Sequence, residues 1–162
     1  MYPFLTMKKI LLFTALLLTI VACDKNEVDP DMSKAKLSAT VNDNIFISPE
    51  LSFSIENNQG LVITAYDGDR TIEIGTSWPV DPGTYSLNYW NPYNNKRFFA
   101  QYNYASQSYA TIDNSGEITI HSVRSEGNKI VELTASFAFE GYSITNDRAL
   151  VSSGRINYSE SN

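Results

Sequence analysis

The chain has 162 residues, 43% of them hydrophobic, and a formal net charge of −6. That length suits one folded domain, and the apolar content excludes a wholly disordered protein. The acidic balance and the lack of any Lys/Arg run argue against nucleic acid as a partner, because phosphate binding needs clustered cations.

Taken in chain order, the first feature is a leader. Lys8 and Lys9 precede a thirteen-residue apolar run, Ile10 to Ala22, which ends at Cys23 and is followed at once by Asp24, Lys25, Asn26 and Glu27. A membrane-spanning helix needs about 20 apolar residues, so this run is too short to span and has the layout of a cleaved export signal opening at Met7. Once Lys8 and Lys9 leave, 12 basic side chains become ten against 18 acidic ones, a net charge of about −8. The segment Thr19-Ile20-Val21-Ala22-Cys23 resembles the lipobox of bacterial lipoproteins, in which the cysteine thiol receives diacylglycerol. Residues 1–22 are therefore expected to be removed, with Cys23 as the lipid attachment point. Each buried acyl CH₂ contributes about 0.8 kcal/mol, so several acyl chains hold a protein on a membrane permanently. Cys23 is also the only cysteine, so no internal disulfide is available. Residues 23–33 read as a solvated tether, acidic at Asp24, Glu27, Asp29 and Asp31 and broken by Pro30. Those acidic residues resemble the tags that send Bacteroidota lipoproteins to the outer face of the outer membrane; a plain soluble tether explains them equally well.

From Lys34 the hydrophobic period is two, which sets alternate side chains on opposite faces of a strand. Leu51, Phe53 and Ile55 share a face, as do Leu61, Ile63 and Ala65, then Ile72 with Ile74, and Ile118 with Ile120. The longest alternation is Val131, Leu133, Ala135, Phe137 and Phe139. Between the runs stand turn signals: Asn57 to Gly60, Asp67-Gly68 read as a type I′ turn, Asn114 to Gly116, and Glu126 to Asn128. Amphipathic helices with caps are missing, so strands joined by tight turns imply antiparallel pairing. The pattern predicts an all-β domain over residues 34–162: an antiparallel β-sandwich or small β-barrel of about eight to ten strands.

Several pieces resemble a family of short Bacteroidota lipoproteins that share an all-β domain of unknown function. They are Ala39-Thr40-Val41-Asn42 with Phe46, Pro82 to Leu87, Tyr109-Ala110-Thr111, Gly116 to Ile120, and the strand ending Ser136 to Phe139. The family often has glycine before the last piece, where this chain has Ala135 and Ser136. The resemblance implies an all-β lipoprotein and transfers no catalytic residue.

Motifs for chemistry are sparse. The sole cysteine is assigned to the anchor, and the sole histidine, His121, shares a strand face with Glu117 and Thr119 that points to solvent. Ser33 and Lys36 match S-x-x-K without its companion motifs, and Asp67-Gly68-Asp69 offers too few oxygens for calcium. No metal, cofactor or enzymatic activity is expected. The richest region is aromatic: nine rings lie between Tyr85 and Tyr109. Flat rings with polar tips suit sugars and protein hot spots, and they also suit strand packing. Tyr89, Trp90 and Tyr93, in the loop-like stretch Asn88 to Lys96, are the candidate binding residues. Two functions follow: a non-catalytic module binding a glycan or an envelope protein, or a structural or accessory subunit of an outer-membrane or cell-surface complex. In either case the chain is exported and lipid-anchored to the outer membrane, on its periplasmic or cell-surface face.

Overall fold

A computed structural model describes residues 34–56, 59–88 and 98–160. Cys23, the leader, Tyr89, Trp90 and Tyr93 lie outside the described residues. Ten strands follow in order: β1 (Leu37–Val41), β2 (Asn44–Ser48), β3 (Leu51–Glu56), β4 (Gly60–Asp67), β5 (Arg70–Ser77), β6 (Gly83–Leu87), β7 (Phe99–Tyr104), β8 (Gln107–Glu126), β9 (Lys129–Tyr142) and β10 (Arg148–Ser159). All pairings are antiparallel, in the order β2-β1-β10-β9-β8-β7-β5-β4-β3, with β6 also on β8.

This sheet curls into a nearly closed barrel through two interrupted staves. The first is β2 with β3: β2 pairs β1, then Pro49 and Glu50 turn the chain, and β3 pairs β4. At the corner, the Ile47 amide donates to Asp67 Oδ2 at 3.1 Å, and the Tyr66 amide donates to Ser48 Oγ at 3.2 Å. Side chains therefore stitch β2 to β4 where no main-chain ladder exists, which resolves the choice between sandwich and barrel in favour of a barrel-like sheet. The second is β6 with β7, which pair successive stretches of the same edge of β8. Counting β2–β3 and β6–β7 once each, ten strands make eight staves.

The predicted alternation is what fills the interior. Val131, Leu133, Ala135, Phe137 and Phe139 are all buried, and Phe137 and Ala135 face Ile118 and Ile120 of β8 across the ladder. Burying each large aliphatic or phenyl side chain contributes roughly 1.5–3 kcal/mol. Gly154 of β10 is fixed by this packing, because a Cβ there would lie 2.5 Å from the Phe137 ring.

Strand direction gives the barrel two distinct poles. At one, the mouth, lie the Asn42-Asp43, Gly68-Asp69 and Ala105-Ser106 turns and the Ser143 to Asp147 loop. Asn42 and Asp43 both have left-handed φ (47° and 64°), the type I′ pattern. The β4–β5 turn corrects the sequence expectation. Asp67 pairs with Arg70, so Gly68-Asp69 are central, and Gly68 alone is left-handed (φ 62°), which is the II′ pattern. At the other pole, the base, the chain enters: the Asn157 amide donates to Lys36 O at 2.8 Å, and Lys36 Nζ donates to Ser159 O at 3.1 Å. From Arg148 at the mouth to Asn157 at the base is about 30 Å of extended strand.

Candidate functional site: a tyrosine-lined mouth

Strand β7 carries inward-facing residues that grow larger and wetter toward the mouth. Ala100 is fully buried, Tyr102 is 6% exposed and Tyr104 is 48% exposed. Across the ladder Tyr102 opposes Tyr109 of β8, with ring centroids 6.0 Å apart, and the Tyr109 hydroxyl is hydrogen-bonded to Gln107 Oε1. On the other side Arg70 of β5 opposes Tyr104.

Arg70 is held fast. Its guanidinium binds the Asp67 carboxylate, donates to Ile45 O at 2.8 Å, and lies 5.5 Å from the centroid of the buried Phe46 ring. The Asp67 carboxylate thereby serves both Arg70 and the Ile47 amide, so it is committed to closing the barrel. Among the described residues, no group of three or more His, Cys, Asp or Glu is placed to hold a metal ion.

These side chains border an open cleft of about 400 Å³, completed on the β1–β2 side by Val41, Asn42 and Asn44 and by Asp69 on the β4–β5 turn. The volume lies near the lower end of the range for small-molecule sites. The rim is pinned: Leu150 N–H donates to Asn42 Oδ1 at 2.8 Å, and Asn44 Nδ2 donates to Asn42 O at 2.9 Å. Burial raises the Tyr102 pKa; Arg70 works against this rise, while Tyr104, Asp69 and Tyr109 add to it. The phenol is thus a hydrogen-bond donor across the physiological range. Asp69 is the one carboxylate among the described lining residues, which together offer the cleft rings, amides and phenol hydroxyls.

The candidates Tyr89, Trp90 and Tyr93 lie outside the described residues, and the structure places the point from which their segment departs. The described residues on either side of it, Asn88 and Phe98, lie within the β6–β7 stave, where the Asn88 amide donates to Phe98 O at 2.8 Å. Thr111, fully buried on β8, donates to Asn88 O at 2.6 Å and accepts from the Ala100 amide at 3.1 Å. β8 bulges at the same level, with Asn114 left-handed (φ 61°) and its amide donating to Asn88 Oδ1 at 3.2 Å. The other rings of the aromatic stretch divide. Tyr85 stacks on Phe98 at 4.3 Å, both against the core, while Phe99 lies over Gly75. His121 is exposed, as its strand position predicts, with Nε2 3.0 Å from Ser136 Oγ.

One ionisable group on the wall is poised by burial. Glu73 of β5 accepts from Gln101 Nε2 at 2.9 Å, and desolvation raises its pKa above the ordinary carboxyl value. A raised carboxyl pKa means the fold favours the protonated form. Ionisation therefore subtracts from stability above the folded pKa, and the penalty vanishes as pH falls below the unfolded value. Glu73→Gln, which keeps an acceptor for Gln101, is expected to raise the melting temperature at about pH 7 and to leave it unchanged near pH 3, followed by circular dichroism.

Fold and site together define a barrel-like all-β domain with a structured, solvent-open aromatic mouth. A family model described as a domain of unknown function, DUF6252, matches residues 33–158, and the chain belongs to that family. No curated protein and no solved structure matches the chain.

Proposed function

We propose that this protein is an exported lipoprotein, anchored through Cys23 to the outer membrane, whose barrel is a non-catalytic module that binds a glycan or an envelope protein at the tyrosine-lined mouth. The observation that carries the reading is the cleft itself: Tyr102, Tyr104 and Tyr109 converge there on rigid strands, beside an arginine already neutralised by Asp67. Rings held by a sheet lose little freedom on binding, so little of their contact energy is offset by ordering. Within the barrel, the first described residues are tied to the base, at the pole opposite the mouth. Tyr89, Trp90 and Tyr93, outside the described residues, stay candidate binding residues in this proposal.

Anchoring is tested by fractionation. Wild-type chain is expected in the membrane fraction with the mass of an acylated Cys23, and Cys23→Ser in the soluble fraction or retained as uncleaved precursor. An unmodified Cys23 thiol on a chain still carrying its leader would remove the anchor from this reading.

A second reading, an accessory subunit of a surface complex, is favoured by one observation. Ile144, in the mouth-side β9–β10 loop, is fully exposed, and an apolar side chain held in water gains when a partner covers it. Crosslinking from position 144 in cells is expected to trap one defined protein if this reading holds, and none if the mouth serves a glycan.

A further inference from the structure

We infer that the mouth cleft takes the end of a neutral glycan chain, one or two sugar rings deep, with a sugar hydroxyl on the Tyr102 phenol and a sugar face on Tyr104. The inference rests on the reading of the mouth as a binding site and names the class of ligand.

The first support is an open hydrogen-bonding position. Tyr102 is 6% exposed, and among the described residues its hydroxyl has no protein hydrogen-bond partner. Several neighbouring polar groups of the mouth are already engaged: Tyr109 with Gln107, Arg70 with Asp67 and Ile45, Asn42 with Leu150. The Tyr102 hydroxyl opens onto the cleft, so its donor and acceptor positions are available to a water or to a ligand hydroxyl. Seated among rings on an inward strand face, the phenol sits where the innermost part of a ligand would lie.

The second support is charge. Arg70 is the sole cation among the lining residues, and its charge is met by Asp67, while Asp69 adds a negative charge at the rim. Recognition of carboxylate, sulfate or phosphate relies on a free, forked cation. The mouth lacks one and repels anions weakly through Asp69. Uronic and sulfated sugars, nucleotides and phospholipid headgroups are disfavoured, and a neutral polyol is not.

Shape supplies the third support. Tyr104 is half exposed at the end of its strand, presenting an apolar ring face with a polar tip, which matches the C–H face and hydroxyl edge of a pyranose. The cleft is bounded by the β1–β2, β4–β5 and β7–β8 turns and runs inward to Tyr102, and about 400 Å³ accommodates only a short segment. A site enclosed by turns on several sides receives a chain end more readily than the middle of a polymer.

The test is calorimetric titration of purified full-length protein in detergent. The probes are neutral gluco-, manno-, xylo- and galacto-oligosaccharides from disaccharide to hexasaccharide, a uronic-acid series, and a random peptide library. At least one neutral series is expected to bind at roughly millimolar affinity or better, with affinity levelling off at two to three rings. Tyr102→Phe, which removes one oxygen and leaves the packing, is expected to weaken that binding about tenfold, as loss of one hydrogen bond does. Tyr104→Ala is expected to weaken it at least as much, and Tyr66→Ala, on the outer face, not at all.

Affinity that climbs steadily to the hexasaccharide would overturn recognition of a chain end. Neutral binding indifferent to both Tyr102→Phe and Tyr104→Ala would place the sugar elsewhere and overturn the inference. Binding of uronic acids or peptides alone, weakened by Tyr104→Ala, would overturn the glycan class while leaving the mouth as a binding site. No heat with any probe would overturn the inference outright.

Discussion

Phe46→Ala is expected to destabilise the domain by about 3–5 kcal/mol, the largest effect of any single truncation considered for this fold. Phe46 is fully buried on β2, the short strand that turns the sheet back toward β4. Its loss removes apolar burial and leaves a cavity that a strand held by β1 on one side and by side chains on the other fills poorly. It also strips the ring from beneath Arg70, so the ion pair with Asp67 loses its packed base and the rim of the cleft loosens. Natural domains have only about 5–15 kcal/mol in hand, so the variant should unfold at markedly lower denaturant or fail to accumulate. Phe46→Leu, which refills most of the volume, is expected to cost much less. Denaturant titration of the two variants checks this. A cost below about 1 kcal/mol for the alanine would mean that β2 is not part of the barrel's closure.

Thr111→Val is expected to cost about 1–3 kcal/mol for each backbone group it orphans. The exchange is nearly isosteric, so packing is conserved, and what changes is one hydroxyl. That hydroxyl donates to Asn88 O and accepts from the Ala100 amide, joining the end of β6 to the start of β7 across the stave's break. Both partners lie in a wall segment that water does not reach at Thr111 itself. Thr111→Ser keeps the hydroxyl and is expected to lose only the effect of one methyl group. Hydrogen exchange at Asn88 and Ala100 is expected to accelerate in the valine variant and not in the serine variant. Equal stability of wild type and Thr111→Val would show that the break is closed by something other than this hydroxyl.

These two positions also show what was legible in the sequence. β9 was fully readable, because Val131 to Phe139 alternate without interruption and all five inward residues are buried. β8 was not readable as one strand. Thr111 faces inward at an odd position and Ile118 and Ile120 at even ones, since the bulge between Thr111 and Gly116 shifts the parity. A period-two reading finds the second half and loses the first. The choice between sandwich and barrel turned on Asp67, Ser48 and Arg70 reaching from one hairpin to another, contacts between residues 18 to 25 positions apart that no local pattern encodes.

The tyrosines of the mouth were legible in composition and not in their convergence. The aromatic stretch from Tyr85 to Tyr109 stood out, and loop-like composition drew the choice toward Tyr89, Trp90 and Tyr93. Those three lie outside the described residues; among the described ones, register brings Tyr102, Tyr104 and Tyr109 together at the mouth: Tyr102 and Tyr104 share a face, and a two-residue turn at Ala105-Ser106 sets Tyr109 opposite Tyr102. The signal was the tight turn between Tyr104 and Gln107, which lacks the usual glycine. Ala105 adopts the left-handed conformation there (φ 52°), and so the hairpin went unmarked.

The most direct test of the mouth as the binding site is backbone hydrogen exchange of the full-length protein, with and without the ligand recovered from the oligosaccharide panel or from solubilised envelope. Slowed exchange is expected at Asn42 to Asn44, Gly68 to Arg70 and Tyr102 to Tyr109, with no change at the Glu126 to Lys129 turn on the opposite pole. Protection confined to the Asn88 to Phe98 segment, or to the base, would contradict the assignment of the ligand to the mouth.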